Sequence, residues 1–347
     1  MRLFLLIIGC LFLFSCNQNE GVPYTKVNIT KVFEDSLSIR AIAPVNDSTV
    51  WFAANNGRIG VVEGTTPKLA TIKYEDSLLQ FRAIALTSKA AFVLSIGDPG
   101  VLYKIGYEGS QATQIEEVYV ERGPKVFYDA MAFWDDKDGI AMGDPTDGCL
   151  SIIKTKDGGE SWEKIPCDVL PPIKEGEAAF AASNTNIALS GSHVWIATGG
   201  KHARVFHSAD KGTTWEVTST PMLQGKTMTG IYSIDFWDDK HGIIYGGDWE
   251  NKEFNEGNKA ITKDGGKTWK LISNGEGPGY RSCISYVPGG NGAGLVAVGS
   301  PGISYSANNG AEWKELSDEG FYAVSFVNDS VAFASGRNKI ARLVFSE

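Results

Sequence analysis

An eight-residue stretch, TKDGGESW at 155–162, limits what this chain can fold into, because the chain repeats it. It returns as SADKGTTW at 208–215, as TKDGGKTW at 262–269 and, altered, as SANNGAEW at 306–313. Every copy has Ser or Thr first, Asp or Asn third, Gly fifth and Trp eighth. These residue types at this spacing predict a tight β-hairpin turn. Asp157, Asp210 and Asp264, with Asn308 in the same place in the fourth copy, can accept hydrogen bonds from turn N–H groups. Gly159, Gly212 and Gly266 supply positive φ. Trp162, Trp215, Trp269 and Trp313 then open the returning strand and pack on a neighbouring sheet. The four Trp fall 53, 54 and 44 residues apart, the length of a four-stranded propeller blade.

Four copies in register resemble the Asp-box, or BNR, repeat of β-propellers. The resemblance implies an all-β propeller in which the turn aspartates are structural. It names no activity, because glycosidases, receptors and non-catalytic assembly factors share the repeat.

The N-terminus reads differently. One positive charge, Arg2, precedes an apolar run at 3–14 that is short for a bilayer span, which predicts a secretory signal at 1–15. Leu13-Phe14-Ser15-Cys16 resembles a bacterial lipobox, which implies cleavage before Cys16 and lipidation of that residue. Residues 16–23 then form a lipidated tether, and 24–347 one propeller domain. The expected location is the bacterial cell envelope, with the propeller outside the cytoplasm. The formal charge of −9 argues against a general nucleic-acid or anionic-lipid surface, though not against a local basic pocket.

Seven short apolar segments align as innermost strands: 40–43, 82–85, 129–132, 178–181, 232–235, 282–285 and 322–325. They predict a seven-bladed propeller of four-stranded antiparallel blades. Units three and five are near-duplicates, AFWDDKDGIAMGD at 132–144 against DFWDDKHGIIYGGD at 235–248. The last unit has room for three strands only, so a strand at 24–30 is expected to complete it and close the ring.

In this topology the repeated turns lie on one face and the starts of the inner strands on the other. Around that second face Arg40, Arg82, Asp129, Tyr232 and Tyr322 take one equivalent position, with Glu177 and Arg281 one residue earlier. Such a charged and aromatic ring around a funnel makes a binding site. The long loop at 249–259 reaches the same face, and its Trp249 and Phe254 have no core to enter. The bland alternative is that the acidic residues here serve turns and solvation.

No metal site or cofactor fingerprint is expected. His193, His202, His207 and His241 are scattered, and there is no phosphate loop or dinucleotide motif. Cys149 and Cys167 flank a hairpin and fit either a cross-strand disulfide or two buried thiols. Cys283 reads as a core residue.

Three functions compete. Over most of its length the chain resembles the photosystem II assembly and stability factor family and its non-photosynthetic bacterial relatives. That family implies protein binding through an Arg-lined face, where Arg40, Arg82 and Arg281 are the positions in register. A sialidase-like glycoside hydrolase would use an Arg triad, a Tyr–Glu nucleophile pair and an Asp acid. Arg40, Arg82, Arg281, Tyr232 or Tyr322, Glu177 and Asp129 supply the types. Those enzymes, however, are six-bladed and carry Arg-Ile-Pro where this chain has Ile39-Arg40-Ala41. The third possibility is non-catalytic carbohydrate binding through Trp249 and the mouth aromatics. The first is favoured: a monomeric, lipid-anchored, non-catalytic module for an envelope protein, with a glycan as the alternative ligand.

Overall fold

Burial along the strands shows how the sheets are layered. Thr49–Ala54, TVWFAA, is buried throughout, whereas Thr66–Thr71, TPKLAT, two strands further out, is almost wholly exposed. β-Branched and aromatic residues fill the inner strands, and Lys, Pro and Thr mark the outer edge, which discourages edge-to-edge pairing. The structure, a computed structural model, describes residues 21–347. The expected signal peptide, Cys16 and the start of the tether lie outside the described residues.

Among the described residues the sheets of four or more strands number six, beside one two-stranded hairpin of Lys73–Tyr74 with Ser77–Leu78, and this corrects the seven four-stranded blades expected from the sequence. The cause is the length of two strands. Lys26–Asn46 pairs with Val331–Ser346 up to Ser38, then with Thr49–Ala54 from Ile39 onward. The first and last repeats therefore merge into sheet 1, in the order Ala323–Phe326, Val331–Ser346, Lys26–Asn46, Thr49–Ala54, Arg58–Glu63, Thr66–Thr71. Sheet 2 holds Phe81–Leu86, Ala90–Ser95, Gly100–Glu108 and Gln111–Glu121. Sheet 3 holds Tyr128–Phe133, Gly139–Pro145, Leu150–Thr155 and Glu163–Lys164. Sheet 4 is Ile187–Ser190, His193–Ala197, Arg204–Ser208 and Glu216–Ser219. Sheet 5 runs Thr229–Phe236, Gly242–Asp248, Lys259–Thr262 and Lys270–Leu271, extended by Gly199–Gly200 and Glu177–Ala178. Sheet 6 is Cys283–Tyr286, Leu295–Gly299, Gly302–Ser306 and Lys314–Ser317.

Inner strands of successive sheets pack side by side, and Ala323–Phe326 returns to Lys26–Asn46, so the ring closes as an all-β propeller. The core is accordingly divided among the gaps between sheets. Trp51 and Ile59 meet Phe81 and Val93 between sheets 1 and 2, and Ile243 and Tyr245 meet Ile284 and Leu295 between sheets 5 and 6. The seam is the antiparallel pairing of Lys26 with Ser346 through Lys31 with Ala341.

A second correction concerns the fourth repeat. Its inner strand is Ile187–Ser190, not 178–181. Glu177–Ala178 instead borders sheet 5 through Gly199–Gly200, and 180–186 leaves the sheets altogether.

The four repeated turns share one geometry. Thr155 Oγ1 donates to Asp157 Oδ1 at 2.7 Å and accepts from the Gly159 N–H at 2.9 Å, while the Ser161 N–H donates to Asp157 at 3.1 Å. Ser208 with Asp210 and Gly212, Thr262 with Asp264 and Gly266, and Ser306 with Asn308 and Gly310 repeat it. Gly159 has φ +78°, and a Cβ there would stand 2.2 Å from the Phe92 ring, so glycine is required twice over. Trp162 packs edge-on against Phe133, and Trp313 against Tyr245 of the adjacent sheet. Cys149 and Cys167 form a disulfide, and Cys283 is a buried free thiol.

Candidate binding face over a plugged channel

Residues 180–186, FAASNTN, occupy the centre of the ring. Consecutive side chains bond to strands on different sides of it. Ser183 Oγ donates to the Ser282 carbonyl at 2.7 Å beside sheet 6, and Asn184 Nδ2 to Ile84 O at 2.9 Å in sheet 2. Asn184 Oδ1 accepts from the Met131 N–H of sheet 3 at 3.0 Å, and Thr185 shares a 2.7 Å hydroxyl bond with Ser233 of sheet 5. Short polar side chains suit this role, since Ser183 and Asn184 offer donors and an acceptor to backbone groups at or beside the inner strands, while Thr185 pairs hydroxyl with hydroxyl. The axis is therefore plugged at this level, and a ligand would meet a floor.

On that floor stand two arginines. Arg40 Nη1 donates to Ala182 O at 3.2 Å, and Arg82 Nη1 donates to Ala181 O at 3.4 Å. The Arg40 guanidinium also lies 4.2 Å over the Tyr322 ring, a cation–π contact that orients it. Arg40 Nε is buried without a hydrogen-bond partner. Neither guanidinium is ion-paired among the described residues. Burial, and then the neighbouring Arg40 charge, hold Arg82 below its usual pKa, with Asp129 and Tyr322 opposing. Asp129 is fully buried and neither carboxylate oxygen has a partner. Burial, reinforced by Asp144, lifts its pKa well above the carboxylate range against the pull of Arg82. Asp144 is itself raised to about 6 by burial, although the Ala179 N–H bonds it at 2.8 Å.

The other expected site residues divide. Glu177 is buried and clamped by Arg204, whose Nε lies 2.9 and 3.0 Å from its two oxygens, and it also accepts from Thr198 Oγ1 at 2.6 Å. Arg281 is buried and spends its guanidinium on Tyr280 O, Ser304 Oγ and Glu315. Tyr232 is buried between Phe180, stacked at 3.9 Å, and Tyr280, edge-on at 4.8 Å, with its hydroxyl donating to Met228 O at 3.0 Å. Trp249 and Phe254 remain exposed, Trp249 with Lys252 5.2 Å over its ring. Arg40, Arg82, Asp129 and Tyr322 thus converge, while Glu177, Arg281 and Tyr232 serve the walls. Sequence reasoning missed the plug carbonyls, whose only visible signal was the polar run at 183–186.

Among the described residues no group of three or more His, Cys, Asp or Glu could hold a metal, and no helix is long and apolar enough to cross a membrane.

This architecture belongs to the β-propeller class, and the solved structures it resembles agree. YCF48 bound to a D1 peptide matches with a TM-score of 0.66 at 13% identity, over 94% of this chain and 99% of that one. Virginiamycin B lyase from Staphylococcus aureus matches at 0.65 and 12% identity, over 92% and 99%. The WD40 propeller domain of Doa1 matches at 0.58 and 12%, over 92% and 98%. At such identities the likeness is one of fold, and it includes both an enzyme and non-catalytic propellers. No family model matches the chain, and no curated protein sequence matches it.

Proposed function

We propose that the protein is a non-catalytic binding or assembly module that recognises a protein segment through the floor of the plugged channel. The observation carrying this reading is the pair Arg40 and Arg82. Both are partly buried, each spends one N–H on a plug carbonyl, and neither forms a salt bridge among the described residues, the nearby Asp129 carboxyl being held toward its neutral form by burial. Partly desolvated guanidiniums with spare donors favour an acidic or carboxylate-bearing ligand. Tyr322 adds an aromatic wall, and the exposed Trp249 on the same face widens the contact. The similar YCF48 structure contains a bound peptide, which makes a peptide ligand reasonable for a propeller of this shape. In this reading the four turns are Asp-box repeats, Cys16 carries a lipid, and the propeller works in the cell envelope, where the anchor raises its local concentration.

The sheet count removes one objection to a sialidase-like hydrolase. Arg281, however, is committed to Ser304 and Glu315, Glu177 is locked to Arg204, and Tyr232 lies buried between two rings. Three free arginines and a paired Tyr–Glu are therefore not on offer.

The experiment is an in-cell crosslinking pull-down comparing wild type with Arg40→Ala/Arg82→Ala, with equal thermal stability checked first. Recovery of a specific protein should fall about tenfold or more in the variant. Equal recovery by both proteins would remove this face from consideration.

A further inference from the structure

The duplicated sequence of units three and five exposes a second site, on the opposite face. Trp134 and Trp237 follow the inner strands of sheets 3 and 5 at equivalent positions, Phe-Trp-Asp-Asp-Lys in both. Their surroundings differ. Trp134 Nε1 donates to His193 O at 3.1 Å, and Lys211 of the next sheet's repeated turn reaches across it. The Lys211 ammonium sits 6.0 Å from the Trp134 ring centroid and bridges Asp135 and Asp138 at 2.9 and 2.5 Å. In the pair formed by sheets 5 and 6 the residue in the place of Lys211 is Asn309. The two share a turn conformation, φ 52° and 55°, and each N–H bonds the preceding loop, at Ser192 O and Ala293 O. The residue in the place of Asp138 is His241. The lysine lid and one of its two anchors are therefore both missing, and Trp237 is 37% exposed.

Beside Trp237 lies a cleft of about 520 Å³ between sheets 5 and 6, a size that suits a small ligand, whereas the equivalent space between sheets 3 and 4, about 370 Å³, is not lined by Trp134. Trp237 and Tyr286 supply its aromatic surface, their ring centroids 6.1 Å apart. Gly292 lies against the Trp237 ring, where a Cβ would come within 2.9 Å, so the indole rests on a turn that fixes its tilt. Asn291 and Asn309 also line the cleft, and their side chains make no hydrogen bond among the described residues. Asn308 spends its oxygen on the turn and keeps its amide N–H₂ to offer. One cation, Lys263, and one carboxylate, Asp238, line it, so the cleft has no marked charge.

We infer that this cleft binds a neutral pyranose-containing saccharide, with a sugar face on Trp237 and hydroxyl pairs on the asparagine amides. An exposed aromatic face takes the apolar C–H side of a ring, and amides pair donor with acceptor as vicinal hydroxyls require. The near-absence of net charge disfavours a phosphorylated or strongly acidic ligand.

The test is titration of the full chain with chitotriose, cellotriose and maltotriose, read by tryptophan fluorescence and saturation-transfer NMR. At least one should bind saturably with Kd on the order of 1 mM or tighter. Binding should be lost in Trp237→Ala. It should also fall about tenfold or more in Asn309→Lys/His241→Asp, which rebuilds the lid and keeps the test open if the first variant folds poorly. Arg40→Ala/Arg82→Ala should bind the sugar normally, which separates this face from the protein-binding one. No saturable signal from any trisaccharide up to roughly 10 mM, or unchanged binding in the lid variant, would overturn the inference.

Discussion

At the scale of single residues, Asp129 is the most informative group on the binding face. Its carboxylate is fully buried, unpartnered and pushed toward the neutral form by burial. A carboxyl raised in the folded state stabilises fully below its unfolded pKa, near 4, and loses that contribution as pH rises through the folded value. Asp129→Asn should therefore match wild type near pH 4 and exceed it at pH 7 by on the order of 1–3 kcal/mol. Urea midpoints at the two pH values check this, and a variant less stable at pH 7 would contradict it. The residue types of the mouth were legible in the sequence, because Arg40, Arg82, Asp129 and Tyr322 recur at one register of successive inner strands. The partners of Glu177 and Arg281 were not. Arg204 lies 27 residues from Glu177 and Glu315 lies 34 from Arg281, and only the fold shows that these charges are spent on each other. One more expectation follows from such pairing. Removing Arg204 would strand a buried Glu177, so Arg204→Met should cost about 3–5 kcal/mol in denaturant unfolding, far more than Arg40→Met on the half-open floor.

At the scale of elements, the turns and the plug behave oppositely. A turn is local: Ser or Thr, Asp, Gly and Trp within eight residues determine its bonds, so four turns could be placed from sequence alone. The plug is not local. Residues 178–181 carry the small apolar pattern of an inner strand, and nothing nearby reveals that 183–185 find their acceptors and donors in four other segments of the ring. The same limit hid the merging of the terminal repeats, since sequence shows where strands begin but not that Lys26–Asn46 runs on through two pairings. The plug's role can be measured. Asn184→Ala leaves the Met131 N–H and Ile84 carbonyl without side-chain partners, and should cost about 1–3 kcal/mol in chemical unfolding. It should also speed hydrogen exchange at Met131. A protected Met131 amide in the variant would show that the plug is not what holds it.

At the scale of the whole molecule, the six larger sheets meet in a ring that closes, among the described residues, through the pairing of 26–38 with 337–346. The earliest described strand and the last strand are thus partners, Lys26 and Ser346 lying more than three hundred positions apart, the longest-range strand pairing among the described residues. Contacts of such separation form late, because a long loop must close before they repay its entropy. A nascent chain can assemble each interior sheet as it appears, yet the ring cannot seal until residues 337–346 are available to pair with 26–38. A chain without 337–346 would leave the facing edge of 26–38 unpaired, so the two outermost described segments protect each other's strand edges and the ring depends on both.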